Sequence, residues 1–455
     1  METRPHWLWI LPALIVGLHA ASAQTYTQLH SFAGGSKDGA NPMGSLILSN
    51  NVLYGMTSQG GVAGGGVVFK MNTNGNSFTN LHSFSAYAGN GESPNAALVL
   101  SGSTLYGMTP AGSPIGLGLI FRENINGNGY TNLHSFAGAP QDGAIPYGSL
   151  TLANGRLYGL TQHGGTSDYG VLFRISTNGG SSTNLHVFSG GANDGAYPMG
   201  DLMLSGTNFY GMASEGGPGN HGTVFRINID GTGYTNLHSF AGYPNDGAAP
   251  PNSLTLDGST LYGMTQYGGA NNYGMVFKMN IDGSGFTGLH SFAGGAGDGE
   301  SPQGSLTLAN GWLYGMTPYG GASNYGVVFR LATDGSSYTN LHTFTVSVAD
   351  GAEPYGSLLP SGSALYGMTF YGGTNNSGVV FALSDSPPAP PTSLSIIYTD
   401  NQAIVSWPSS VSGWTLQTNH DLTTGSWQNY GGPVIGNTVT NSPTKENLFF
   451  RLWSP

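Results

Sequence analysis

Twelve histidines and 22 carboxylates stand beside no cysteine in the 455 residues, so thiol nucleophiles, thiolate metal sites and disulfides are excluded together. Seven of the histidines follow a leucine at a fixed step: His30, His82, His134, His186, His238, His290 and His342 lie 52 residues apart. Imidazoles spread so evenly cannot converge on one metal, and hydrogen bonding between strands or blades is their expected task. Asp38, Asp142, Asp194, Asp246, Asp298 and Asp350 repeat at the same step, with Asn90 in the second place, each four residues before a proline. An aspartate that accepts backbone N–H bonds in its own turn explains this series and tolerates the asparagine. Calcium is the alternative, because acidic Gly-rich loops offer oxygen ligands, although one carboxylate per loop is few. No other cofactor is expected.

Function is sought where the repeated units differ. The residue before a pair of glycines runs Gln59, Ala111, His163, Glu215, Tyr267, Tyr319, Tyr371, and six residues further on the series is Gly65, Leu117, Tyr169, His221, Tyr273, Tyr325, Ser377. A third variable position, one past the proline, includes Met43, Tyr147, Met199 and Tyr355. Exposed tyrosines and histidines among Asn, Ser and Gly form stacking and hydrogen-bonding surfaces suited to glycans or protein loops. The plainer reading is that these rings cover blade edges and satisfy their hydroxyls locally. Glu215 and Asp201 are acidic where other units are neutral, and a carboxylate pair would suit acid–base cleavage of a polysaccharide. No residue is assigned a catalytic role on these grounds. Two Gly-x-Gly-x-x-Gly matches, Gly217 to Gly222 and Gly283 to Gly288, do not follow a strand into a helix, so they are not nucleotide sites.

These positions are held by a repeat. Tyr54-Gly55 and Phe69 recur every 52 residues, seven times, without insertion or deletion. Glycine at 76 residues, 44 Tyr and Phe, and only 33 charged residues favour short strands and tight turns. In the third unit, residues 148–152, 156–161, 171–175 and 183–188 read as four strands, the first two joined by Asn154-Gly155. Units of about 40–50 residues with four strands are the propeller range. The chain enters through a fourth-type strand, Tyr26 to Phe32, and leaves after a third-type strand at Phe381, so the seventh unit is expected to borrow its outer strand from the start of the chain. The fold class is all-β: a seven-bladed β-propeller with a small C-terminal β-sandwich.

Residues 1–23 read as a signal peptide, with Arg4 ahead of an apolar stretch and Ala21-Ser22-Ala23 at the cleavage site. The propeller is assigned to residues 24–385, a Pro-rich linker to 386–391 and the sandwich to 392–455. A net charge of −11 argues against nucleic-acid or anionic-membrane partners, and no later segment is apolar enough to span a membrane. A secreted or cell-surface location follows.

The pattern Leu53-Tyr54-Gly55-Met56-Thr57, Gly60-Gly61 and Gly66-Val67-Val68-Phe69, with Leu-His-Ser-Phe strands, resembles the Gloeo/Verruco tandem repeat of secreted bacterial proteins over residues 26–383. The tail, with Val405-Ser406-Trp407-Pro408 and Phe449-Phe450-Arg451-Leu452, looks like a terminal domain common on secreted proteins of the same bacteria. The resemblance implies an extracellular or surface protein, often with a C-terminal sorting tail; here the closing Leu452-Trp453-Ser454-Pro455 has neither apolar span nor basic cluster. The expected function is binding, to a glycan or a protein, through Tyr147, His163, Tyr169, Glu215, His221, Tyr267, Tyr273, Tyr319, Tyr325, Tyr355 and Tyr371. A polysaccharide lyase or hydrolase and a purely structural envelope protein are the alternatives.

Overall fold

The computed structural model describes residues 24–85 and 89–385, and, further on, 395–399, 402–406, 415–419, 428–430, 438–441 and 449–453. The signal-peptide and linker assignments lie outside the described residues. Every element described is a strand. Residues 24–385 form seven four-stranded antiparallel sheets, the blades of a propeller. In the third blade the strands are Thr151–Ala153, Arg156–Thr161, Val171–Ser176 and Thr183–Val187. Asn154 and Gly155 both adopt positive φ, 48° and 68°, as the tight primed turn between the first two strands requires. The first strand is shorter than the 148–152 expected from alternation. Gly148 and Ser149 are instead spent on contacts to the next blade around the central axis, where the Ser149 N–H donates to the Asp201 carboxylate.

The ring closes as the ends of the repeat imply. Thr25–Ser31 lies antiparallel to Val379–Ser384, with Tyr26 opposite Leu383 and His30 opposite Val380. The Phe32 N–H donates to the Gly378 carbonyl at 3.0 Å, and the Tyr26 ring stacks on His342 at 4.2 Å. The core lies between blades: in one cluster Ile120, Phe136 and Met108 of the second blade pack against Leu157, Phe173 and Ile175 of the third. Comparable clusters join each successive pair, including the seventh blade to the first. The glycine in each second strand permits this packing, since a Cβ at Gly55 would stand 2.7 Å from the Phe69 ring.

The histidine and aspartate series meet each other. His134 bonds Asp142 at 2.8 Å, and the same pair recurs in five other blades, from His30–Asp38 to His342–Asp350. Each aspartate also accepts N–H bonds within its turn, as Asp142 does from Ala137 and Gly143. Burial pushes the Asp142 carboxyl up, but the His134 and backbone hydrogen bonds outweigh it and leave it below its usual value. The second blade differs. Asn90 offers His82 an amide at 3.3 Å, and burial without a carboxylate pushes this imidazole down to about 4.

In the C-terminal region, Ser395–Thr399, Gln402–Ser406 and Thr438–Asn441 form one three-stranded sheet. Gln428–Asn429, Thr415–Asn419 and Phe449–Trp453 form another.

Candidate functional site

The loops that carry the variable residues are fastened together on one face of the disc. In six blades the connection from the preceding outer strand pairs with the loop between second and third strands, as Gly143–Ala144 does with His163–Gly164. The second blade keeps only a single bridge, Glu92 to Ala111. Between blades, the carbonyl of the residue at the Tyr169 position accepts the N–H of the residue before the next blade's proline: Tyr197 to Tyr169 and Glu353 to Tyr325, both at 2.9 Å. The backbone is therefore uniform while the side chains vary.

That residue before the proline escaped sequence reasoning. Asn41, Ser93, Ile145, Tyr197, Ala249, Ser301 and Glu353 all adopt positive φ, between 49° and 55°. A β-branched isoleucine there is strained, which costs about 1–3 kcal/mol and persists only because surrounding hydrogen bonds enforce it. The signal was available: a position differing in every unit but one pair, beside an invariant proline.

Ten of the eleven expected site residues divide into three groups. Around the third and fourth blades, His163 packs on Tyr197 at 5.1 Å and reaches Asp168 at 3.5 Å, and Tyr169 meets Tyr197 edge-on at 5.3 Å. Around the sixth and seventh, Tyr319 and Tyr355 join hydroxyls at 3.3 Å, and Tyr355 donates to Glu353 at 2.8 Å. Phe370 connects Tyr355, at 5.5 Å, to Tyr371, at 4.6 Å. Tyr197, Glu353 and Phe370 are thus members the sequence did not nominate. Burial, the Tyr319 hydroxyl and the Glu353 carboxylate push the Tyr355 phenol well above its usual value. The remaining group, Glu215, His221, Tyr267, Tyr273 and Tyr325, is exposed. Glu215 bonds Asn220 at 3.3 Å.

Tyr147 and Tyr355 also line the central cavity, of about 80 Å³, with Met43, Asn95, Met199, Pro251 and Gln303. Behind this mouth lies a ring of Gly and Ala residues interrupted by Asn252, and then a ring of mostly hydroxyl side chains. Ser357 donates its N–H to Ser45 Oγ at 2.8 Å, Ser305 to Ser357 at 2.8 Å, Ser253 to Ser305 at 3.1 Å, and Asp201 to Ser253 at 2.6 Å. Ala97 donates to Ser149 at 3.0 Å and is the one member without a polar side chain. Asp201 is the one carboxylate in this ring, and burial among the surrounding blades pushes its carboxyl up. Asp201 and Glu215 do not share this cavity, so the acid–base pair considered from sequence is not assembled. Among the described residues no group of three or more His, Asp or Glu is placed to hold a metal ion.

Comparison with known families finds the Gloeobacter/Verrucomicrobia repeat over residues 15–225 and 192–381. The chain belongs to that family. No curated protein matches. Among solved structures it is similar to the nidogen/laminin complex, 14% identical over 77% of this chain and 98% of that one, with a TM-score of 0.35. It is also similar to an oligogalacturonate lyase in complex with manganese, 12% identical over 81% and 99%, with a TM-score of 0.47. A puromycin-hydrolyzing peptidase from Mycobacterium tuberculosis is 12% identical over 84% of this chain and 60% of its own, with a TM-score of 0.49. Likeness this distant carries no functional weight.

Proposed function

We propose, on the premise that the chain belongs to the Gloeobacter/Verrucomicrobia repeat family, that it is a secreted or cell-surface binding module. Its loop face takes a glycan or the loops of a protein partner. One observation carries the reading. Among the described residues, the large hydrophobic side chains left exposed are Val62, Ile115, Tyr243, Tyr267, Tyr273, Tyr325, Val348 and Tyr371, and all stand in loops of this one face. Apolar groups scattered by chance would not favour one side, whereas a binding surface concentrates them. The loops rest on a backbone fixed by repeated hydrogen bonds, so the side chains are presented with little ordering left to do on binding. Secretion is supported by the leader-like residues 1–23.

The test is a triple substitution, Tyr267→Ala, Tyr273→Ala and Tyr325→Ala, in the mature chain. Screened on a glycan array and against extracellular proteins immobilised on a sensor, the wild type is expected to bind and the triple variant to lose at least about tenfold, as loss of interface aromatic anchors does. Equal binding by the two proteins would refute the reading.

A further inference from the structure

The loop face and the axis share an unusual balance of charge. In the loops of this face stand Glu92, Asp168, Glu215, Glu300 and Glu353, and the one lysine or arginine among the described residues there is Lys37. The basic residues lie elsewhere: Lys70, Arg122, Arg174, Arg226, Lys278 and Arg330 occupy one position of successive third strands. Three of them reach the next blade's turn, as Lys70 does at the Ile125 carbonyl, Arg122 at Asn178 and Arg330 at Asp385. None lines the cavity, nor does any histidine. Asp201 therefore stands in a closed ring with no cation to balance it.

We propose that the axial cavity binds a primary ammonium group, the tip of a lysine side chain from a partner docked on the loop face, with Asp201 as its counter-ion. An ammonium group carries three donors and no acceptor. The cavity supplies what those donors need: the Asp201 carboxylate, and the oxygens of Ser45, Ser149, Ser305 and Ser357, which accept one backbone N–H each and keep a second lone pair. Tyr147 and Tyr355 stand at the mouth with Met43 and Met199, a lining suited to a slender methylene stem below a charged head. Other occupants fit less well. A divalent cation would find one carboxylate where it usually takes several charged or carbonyl oxygens. An anion would meet Asp201 as a like charge. Burial raises the Asp201 carboxyl, and a bound cation would draw it back down, so affinity should weaken as acid protonates it.

Only the lysine source rests on the loop face being a docking surface; the ammonium pocket itself does not. The experiment is calorimetric titration of the mature chain with methylammonium and with N-acetyl-lysine N-methylamide at constant ionic strength. Asp201→Ser is the companion variant, because serine holds this place in five other blades and preserves the ring. Both probes are expected to bind the wild type, the lysine derivative more tightly. Asp201→Ser should lose at least about tenfold with a melting temperature no lower than that of the wild type. If that variant misfolds, Asp201→Asn provides the same reading. No heat with wild type at millimolar probe, or equal affinity in the serine or asparagine variant, overturns the proposal. A lysine derivative no tighter than methylammonium overturns the partner-lysine source and leaves a small free amine. The Tyr267, Tyr273 and Tyr325 triple variant should keep ammonium binding while losing the larger ligand, so the two readings fail separately.

Discussion

At the residue scale, the second blade holds the least expected group. Glu123 occupies the place taken by Met71, Ile175, Ile227, Met279, Leu331 and Leu383 in the other blades. It is 1% exposed and neither carboxyl oxygen has a hydrogen-bond partner. Burial pushes it up to about 7 from an ordinary 4.5. A carboxyl whose folded value is raised favours the folded state below the unfolded value, and that contribution is lost as pH rises through the folded one. Between 4.5 and about 7 the wild type should thus lose stability on the order of 3 kcal/mol, because the unfolded chain releases this proton more readily. Glu123→Ile is expected to remove that loss. Urea unfolding midpoints of the two proteins should lie closest under acid conditions and diverge above neutrality; parallel pH profiles would show that Glu123 is charged and solvated in the fold. The sequence offered this residue openly, as one acid in a column of aliphatic side chains. Its weight was visible only once strand register placed that column inside the packing between blades.

At the scale of the element, the repeated histidine is the joint between blades. His30 stacks on Phe78 at 4.1 Å, His82 on Tyr130 at 3.8 Å, His186 on Tyr234 at 4.0 Å, His238 on Phe286 at 3.8 Å and His290 on Tyr338 at 4.0 Å. His134 lacks such a partner because Ser182 occupies the corresponding position, where its hydroxyl donates to Asp142 at 3.2 Å. Ser182→Tyr should supply the missing ring. The expected gain is about 0.5–1.5 kcal/mol beyond area burial, seen as a higher melting temperature. A variant no more stable than wild type would mean that the second and third blades are spaced differently from the rest. The period of 52 made the histidines and aspartates legible as equivalent positions. It did not reveal that the two series are partners eight residues apart, since a turn brings them together and spacing alone does not say which side chains a turn will face.

For the whole molecule, closure matters most. The strand Thr25–Ser31 completes the seventh blade and covers the edge of Val379–Ser384. A chain beginning after Phe32 would expose that edge and lose the packing of Tyr26 and Phe32. It is expected to unfold at lower denaturant by about 3 kcal/mol or more, and to associate through the open edge, as read by light scattering. Retention of full stability as a monomer would mean that the blades do not depend on the ring.

Unit number, unit length, strand order and the borrowed strand followed from the sequence by itself, because turn residues and apolar alternation are local and a period is a count. Tertiary structure alone decided which variable positions meet. Equivalent residues of a ring come together only at small radius, and radius is fixed by how blades pack. Tyr147, Tyr355 and Asp201 converge on the axis, whereas Tyr267 and Glu215 stay on outer loops.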